Sequence, residues 1–206
     1  MEKFSKNYYK GYKESNYLDY SKINVKEQFK TITSFIDKNK LSGNFLDIGC
    51  AFGFLVKEAE KNFKNTYGCD ISKYALNQAK KNSSKSNFKI VDLDKSLPYP
   101  DNYFDLITAL DVLEHTKNFS KNLEKISKKL KKNGYLIVSF PINSLLRRLF
   151  GFIDKDKTHI SVPTEKEALK AIKKSGLKII KKEKYFAPFF KRIRFLPVQM
   201  EIILKK

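Results

Sequence analysis

Residues 45–54, FLDIGCAFGF, constrain the fold of this chain more than any other stretch. They open with a short apolar run of the kind that forms a strand in the middle of a parallel sheet. Small residues then occupy every second position, namely Gly49, Ala51 and Gly53, before a helical pattern begins at Phe54. A strand that passes through small residues into a helix N-terminus lets backbone N–H groups approach a ligand closely. The stretch therefore predicts a nucleotide-binding turn.

Two features narrow the kind of turn. Asp47 interrupts the apolar run, and a carboxylate there is costly unless a ligand or a partner uses it. The dinucleotide fingerprint requires small residues at its first, third and sixth positions, which here are Gly49, Ala51 and Phe54. The large phenylalanine does not fit the sixth position. This argues against a dinucleotide, and an ordinary tight strand-to-helix turn stays open as the alternative.

Further carboxylates follow the next predicted strands. Asp70 ends the second strand, where an acidic residue can meet both hydroxyls of a ribose. Asp92 ends the third strand, where it can accept a hydrogen bond from the amino group of adenine, and Leu93 adds an apolar contact. The fourth strand is followed by three more polar residues: Asp111, Glu114 and His115. Because the carboxyl ends of parallel strands share one edge of a sheet, these side chains are expected at one ligand-binding edge.

Length and composition indicate an ordinary single-domain protein. The 206 residues fit one domain with a substantial core, and no apolar run approaches the ~18 residues of a membrane span. The N-terminus, MEKFSKNYYK, lacks an apolar stretch of signal-peptide type, so we expect a cytoplasmic protein. Two cysteines, Cys50 and Cys69, are expected to be reduced and packed. Neither histidine has a recognisable metal-ligand spacing, so no metal site is predicted.

The net charge of +20 raises the question of a nucleic-acid partner. Almost all of the positive charge is lysine, in runs such as residues 128–132 that would line solvated helix faces. We therefore favour compositional bias over a functional basic patch. Nucleic acid stays open as a partner without being favoured.

Residues 1–40 precede the first predicted strand and differ in character from the rest. Residues 1–22 are polar and carry many aromatic rings, too many for a disordered tail. Residues 23–40 show apolar residues at helical spacing. We interpret 1–40 as an aromatic segment and helix that either caps the sheet or forms a lid over a cationic cofactor. The catalytic domain is then expected to span residues 41–206.

Four motifs together resemble a class I S-adenosylmethionine (SAM) dependent methyltransferase: LDIGCAFG, YGCDIS, LPYPDNYFDLITALDVLEH and LKKNGYLIVSFP. The branch they most resemble holds small-molecule methyltransferases of the ubiquinone-biosynthesis type and their relatives in glycan-assembly clusters. The match runs from residue 40 to about residue 185. It implies an α/β fold, a doubly wound Rossmann-like seven-stranded sheet whose last strand is antiparallel. One departure is Ala51, where the family usually has glycine.

The resemblance also implies SAM as cofactor and S-adenosylhomocysteine as its product. Asp47 and the turn of residues 49–53 would hold the methionine end, Asp70 the ribose and Asp92 the adenine. Leu110 would line the cofactor from the fourth strand. The predicted cofactor-binding residues are Asp47, Gly49, Cys50, Ala51, Gly53, Asp70, Ile71, Asp92, Leu93 and Leu110.

The acceptor pocket is expected from residues 141–163, a substrate-side insertion, and from the connection 187–197. All four arginines of the chain lie in these segments: Arg147, Arg148, Arg192 and Arg194. Because arginine suits bidentate contacts with phosphate or carboxylate, we hypothesise an anionic acceptor or an anionic surface beside the pocket. Arginines on solvated turns are the alternative. The apolar residues around Arg147 could instead make a peripheral membrane contact.

The two histidines of the chain, His115 and His159, are the candidate catalytic residues. An oxygen acceptor needs its proton removed, and histidine is the usual base near neutral pH. Both map to the ligand edge, and His159 is slightly favoured because it lies in the substrate-side segment. A structural role for each is the alternative.

The expected function is SAM-dependent methyl transfer to a small, anionic or sugar-bearing molecule, with oxygen the favoured acceptor atom and nitrogen and carbon left open. RNA methylation is a second enzyme hypothesis, supported by the charge. A non-catalytic protein that binds SAM is the hypothesis from another class, and the intact cofactor motifs argue mildly against it.

Overall fold

The structure is a computed structural model that describes residues 4–11, 15, 19–145, 156, 158–186, 193–194 and 198–206. In chain order, its strands β1 to β8 span Asn44–Ile48, Asn65–Asp70, Asn87–Ile90, Phe104–Leu110, Leu130–Pro141, Lys178–Phe186, Ile193–Arg194 and Gln199–Lys205. Helices α1 to α6 in these ranges span Lys6–Lys10, Val25–Lys38, Phe54–Ala59, Lys73–Asn82, Phe119–Lys129 and Glu165–Lys174. Two short 3-10 turns span Tyr20–Lys22 and Leu113–His115. Within the described ranges, no helix is both long and apolar enough to cross a membrane.

All eight strands form one sheet, in the order β3-β2-β1-β4-β5-β8-β6-β7. Strands β1 to β5 pair in parallel, whereas β8 runs antiparallel to both β5 and β6. The chain leaves β1 towards β2 on one side and returns to β4 on the other. The switch point of the sheet, where such folds bind ligands, therefore lies between β1 and β4. The predicted doubly wound sheet with an antiparallel last strand is confirmed.

One strand adds to the seven that the sequence predicts. The two-residue strand β7 pairs antiparallel with the end of β6, so the sheet has eight strands. The sequence predicts a connection at this point because two residues carry no periodic pattern.

Two apolar clusters cover the two faces of the sheet. On one face, α5 and α6 pack against strand residues such as Ile107 and Val138. On the other face, α2 and α3 pack against Leu106 and Ile137. Neighbouring residues of β4 and β5 thus point to opposite faces, as the two-residue period of a strand requires. Because both faces are covered, the central strands appear in the sequence as nearly continuous apolar runs.

Polar caps begin the helices that follow β2 and β5, as the positions of Ser72 and Thr164 before helical patterns predict. At α4, Ser72 Oγ accepts a hydrogen bond from Ala75 N at 3.2 Å. At α6, Thr164 Oγ1 accepts from Glu167 N at 3.3 Å, while the Glu167 carboxylate accepts from Thr164 N at 2.8 Å. These bonds satisfy N–H groups that the first turn of a helix leaves open.

The central strand β4 is expected to carry more stability than the outer strand β6. Ile107 in β4 is fully buried, whereas Ile180 in β6 is 53% exposed. We expect Ile107→Ala to lower the free energy of unfolding by about 2–5 kcal/mol because it leaves a cavity in the core. The matched variant Ile180→Ala should change it by less than about 0.5 kcal/mol. Urea unfolding followed by circular dichroism measures both, and equal effects would contradict the burial of β4.

Candidate functional site

A cavity of about 280 Å³ lies at the carboxyl edge of the sheet, beside the switch point between β1 and β4. Residues at the ends of β1, β2 and β4 and in the connection after β3 line it. Most of the predicted cofactor-binding residues are among them: Asp47, Gly49, Ala51, Asp70, Ile71, Asp92, Leu93 and Leu110. The fold therefore gathers side chains from four strand ends at one place.

Two predicted residues, Cys50 and Gly53, are not among the described residues that line the cavity. Cys50 is buried in the apolar cluster with α2 and α3, and this burial raises the pKa of its thiol. Gly53 begins α3 with a φ of 72°, and an added Cβ would lie 3.0 Å from Ala79 Cβ. Both residues therefore lie on the side of the turn that faces away from the cavity. Cys50 and Cys69 are free, buried thiols, as predicted.

The turn after β1 depends on a close backbone approach. Gly49 has a φ of 71°, and an added Cβ would come within 2.3 Å of a Val112 methyl group. Ala51 also adopts a left-handed backbone, with a φ of 46°. That region costs a non-glycine residue roughly 1–2 kcal/mol. The turn therefore imposes on Ala51 a conformation that the usual glycine of the resembled family would adopt without strain.

Asp70 joins three elements at the cavity. Its Oδ2 accepts a hydrogen bond from Ala51 N at 2.9 Å, and its Oδ1 accepts from Ser72 N at 2.8 Å. The end of β2 is thereby tied to the turn after β1 and to the start of α4. A carboxylate oxygen has two lone pairs, so these bonds leave acceptor capacity for a ligand hydroxyl.

Asp47 is a buried carboxyl at the floor of the cavity. Burial, with the nearby charge of Asp70, raises its pKa from 3.8 to about 7, and a hydrogen bond from Thr108 Oγ1 at 2.6 Å opposes this effect. Near neutral pH the group is therefore close to half protonated. A cation placed next to it would favour the ionised form.

The cavity is acidic although the chain is strongly basic. Five aspartates line it: Asp47, Asp70, Asp92, Asp94 and Asp111. Among the described lining residues there is no lysine or arginine, against 42 in the whole chain. This distribution favours a ligand that carries positive charge.

Aromatic side chains from the N-terminal segment cover the cavity. Phe4, Tyr8, Tyr9 and Tyr20 are all lining residues. The Tyr9 ring lies 5.0 Å from that of Phe52, in the turn after β1. Ser72 Oγ donates to the backbone oxygen of Phe4 at 2.6 Å, which ties the segment to the start of α4. The segment therefore lies against the cavity, and its role as a cofactor lid stays a prediction.

The two predicted catalytic histidines lie together, next to the cavity. The rings of His115 and His159 have centroids 4.9 Å apart. His115 lines the cavity, whereas His159 Nε2 lies 4.0 Å from Glu114 Oε1 and 3.9 Å from Asp156 Oδ2. His159 therefore lies between two carboxyl groups.

The fold also brings ligand-type atoms together where sequence spacing predicts no metal site. One atom each from Glu114, His115 and His159 lies within 4.8 Å of the others, a spacing that could hold a metal ion. His115 and His159 are separated by 44 positions, so no local sequence motif could show this proximity.

Side chains from β5 and β8 hold the carboxyl group of Asp111 in place. Its Oδ1 accepts hydrogen bonds from Ser139 Oγ in β5, at 3.0 Å, and from Gln199 Nε2 in β8. Desolvation raises the pKa of Asp111, while the bond from Ser139 and the charge of His159 lower it. Sequence reasoning misses Gln199 because the closing strand carries no functional motif.

The predicted acceptor arginines lie largely beyond the described part of the chain. Arg147, Arg148 and Arg192 are outside the described residues, and Arg194 is described only as a backbone position in β7. Their contact with an anionic acceptor stays a prediction.

Comparison with known proteins agrees with this geometry. Residues 21–182 match a family model described as a methyltransferase domain. The chain belongs to this methyltransferase domain family. It is 29% identical over 141 residues to the ubiquinone biosynthesis O-methyltransferase of Pelagibacter ubique, covering 66% of this chain and 57% of that protein. It is 30% identical over 125 residues to N-methyltransferase 4 of Papaver somniferum, covering 56% of this chain and 35% of that protein.

A solved structure shares the fold of this methyltransferase domain. The crystal structure of a SAM-dependent methyltransferase from Clostridium acetobutylicum superposes with a TM-score of 0.72 at 17% identity, over 90% of this chain and 93% of that one. At this identity the likeness concerns the fold alone. The chain spans less than two thirds of the length of the curated relatives named above.

Asp47 makes the stability of the domain depend on pH. Its folded pKa of about 7 lies above 3.8, so between these values the folded chain holds a proton that the unfolded chain has lost. The free energy of unfolding therefore falls as pH rises from about 4 to about 7. We expect Asp47→Asn to remove this fall and to gain up to about 4 kcal/mol over the natural chain at pH 8, but nothing at pH 4.

Urea unfolding at both pH values measures this difference. The exposed variant Asp101→Asn serves as the control and should shift little at either pH. A gain from Asp47→Asn that is the same at pH 4 and pH 8 would contradict the assignment.

Proposed function

We propose that this chain is a SAM-dependent methyltransferase that acts on a small molecule. One observation carries the proposal: in a methyltransferase domain, an acidic cavity at the switch point is lined by the turn after β1 and by Asp70 and Asp92. These residues fit SAM, which combines a ribose and an adenine with two cationic groups.

Different lining residues suit different parts of SAM. Asp70 suits the ribose hydroxyls, and Asp92, with a side chain 32% exposed, suits the adenine amino group. Asp47 and the turn at Gly49 suit the methionine end, where a carboxyl can pair with the ammonium group. The rings of Tyr8, Tyr9 and Tyr20 provide aromatic faces, which attract a sulfonium cation.

The acidic lining also distinguishes donor from product. When bound, SAM supplies an electrophilic methyl group on a positively charged sulfur. The product sulfur is neutral, so the surrounding carboxylates stabilise the product less than the donor. This difference favours exchange of product for fresh donor.

The residues of the chain then align the acceptor and receive its proton. Alignment alone supplies much of the acceleration for a displacement of this kind. For an oxygen acceptor we assign the base to His115 and not to His159, because His115 lines the cavity while His159 faces Glu114 and Asp156.

We propose an oxygen of a small anionic or sugar-bearing molecule, in the cytoplasm, as the acceptor. The similarity to an O-methyltransferase and the four arginines of the two substrate-side segments support this choice. The similarity to an N-methyltransferase makes nitrogen the competing acceptor atom.

The test is transfer of a labelled methyl group from SAM into a fractionated cell extract by the purified protein. Label in the small-molecule or lipid-linked glycan fraction supports the proposal. Label that ribonuclease removes would replace it with RNA methylation. If an active extract gives no labelled fraction but the protein binds S-adenosylhomocysteine, a non-catalytic binding protein would be favoured.

Replacement of Asp92 tests the cofactor assignment without any acceptor. We expect Asp92→Ala to weaken S-adenosylhomocysteine binding roughly tenfold, about 1.4 kcal/mol, through the lost hydrogen bond to adenine. Asp101→Ala removes a carboxylate that binds Lys129 outside the cavity and should leave binding unchanged. Isothermal titration calorimetry compares the two, and equal affinities would contradict the role of Asp92.

A further inference from the structure

A chain of hydrogen bonds runs from the N-terminal segment to His115. Tyr8 Oη donates to Asp156 Oδ2 at 2.8 Å. The other carboxylate oxygen, Asp156 Oδ1, accepts from Thr158 N at 2.9 Å and from Thr158 Oγ1 at 2.5 Å. Thr158 Oγ1 in turn lies 2.9 Å from His115 Nδ1. Tyr8 and Asp156 are buried, at 5% and 9% exposure, so the bonds are shielded from water.

The direction of these bonds fixes where the hydrogen of His115 lies. An ionised carboxylate only accepts, so the Thr158 hydroxyl gives its single hydrogen to Asp156. The same hydroxyl can then only accept from His115 Nδ1. The backbone oxygen of Thr158, 3.2 Å from Nδ1, is also an acceptor. Both contacts require a hydrogen on Nδ1, which leaves the lone pair of a neutral ring on Nε2.

Ring contacts hold the imidazole in this orientation. The Phe4 and His115 rings are nearly perpendicular, at 85° with centroids 5.3 Å apart, and the His159 ring lies 4.9 Å from that of His115. The backbone is held too, because Glu114 O accepts from Ile160 N and Ser161 N at 2.8 and 2.9 Å. Two segments distant in sequence therefore converge on one ring.

We propose that Tyr8, Asp156 and Thr158 are positioning residues that hold His115 as its Nδ1–H tautomer and so direct the Nε2 lone pair as the proton acceptor of the site. The role of His115 as proton acceptor rests on the proposed function, whereas the position of the hydrogen on its ring does not. Because Tyr8 also lines the cofactor cavity, docking of the N-terminal segment would complete both sides of the site at once. Docking of this segment would then cover the cofactor and orient His115 in the same step.

Histidine ¹⁵N labelling tests this directly, since the chain has two histidines. Correlation spectra between ring nitrogens and ring protons, recorded at alkaline pH so that the rings are neutral, distinguish the two tautomers. His159→Gln assigns the remaining signals to His115. We expect the Nδ1–H pattern for His115, and an Nε2–H pattern in the natural chain would overturn the proposal.

Variants of Asp156 separate positioning from mere folding. Asp156→Ala frees the Thr158 hydroxyl to donate to Nδ1, while the Thr158 backbone oxygen still accepts from it, so we expect a measurable share of the Nε2–H form beside the Nδ1–H form. Asp156→Asn keeps an acceptor for the hydroxyl and should restore the natural pattern. Tyr8→Phe should shift the balance in the same direction as Asp156→Ala, to a smaller extent. An unchanged tautomer in Asp156→Ala would overturn the positioning role.

Calorimetry with S-adenosylhomocysteine on the same samples keeps this test distinct from that of the proposed function. Asp156→Ala should still bind S-adenosylhomocysteine, although more weakly than the natural chain, because it leaves Asp70 and Asp92 intact and removes only the partner of Tyr8 in the N-terminal segment. A chain with the expected tautomer but no cofactor binding would refute the proposed function and leave the hydrogen-bond network in place.

Discussion

The carboxylate of Asp70 is the interaction on which the ligand edge depends. Its two oxygens accept from Ala51 N and Ser72 N, so one side chain fixes a turn, a strand end and a helix start. A buried N–H left without such a partner costs roughly 1–3 kcal/mol. Ser72 extends the arrangement, because its hydroxyl donates to Phe4 O and thereby ties down the N-terminal cover. Removing this carboxylate would disturb the shape of the cavity as well as any contact with a ribose.

The chain is basic overall but acidic in the cavity because lysine and aspartate side chains differ in length and flexibility. Lysine has a long stem that can lie on the surface while its ammonium group stays in water. Aspartate is short and can sit at a strand end, where backbone N–H groups of the next turn point towards it. A strongly basic chain can therefore keep an acidic cavity. The acidic lining favours a cationic ligand although the whole chain carries a net positive charge.

What the sequence can predict here depends on distance along the chain. Asp47, Asp70 and Asp92 could be predicted because Asp47 and Asp70 lie at strand ends and Asp92 lies two residues after β3, and parallel topology then places them at one edge. Cys50 belongs to the turn after β1, but its side chain lies in the apolar cluster with α2 and α3. A turn of small residues does not reveal which side chains face the cavity.

The contacts that sequence reasoning missed all join distant segments. Tyr8 and Asp156 are 148 positions apart, and Gln199 and Asp111 are 88 apart. Their hydrogen bonds depend on how the N-terminal cover, the substrate-side segment and the closing strand pack over the sheet. Periodicity and local motifs carry no information about such packing.

The buried carboxyl of Asp47 shows that the cavity is a compromise between stability and ligand binding. Its raised pKa means that the fold tolerates an unfavourable charge at neutral pH, a cost typical of binding sites. A cationic ligand beside it reverses the sign of that contribution, because ligand and carboxylate then stabilise each other. Linkage makes the effect reciprocal: ligand binding draws the proton from Asp47, and ionisation of Asp47 tightens binding. The carboxyl that lowers the stability of the fold at neutral pH is thus the one that a cationic ligand would favour.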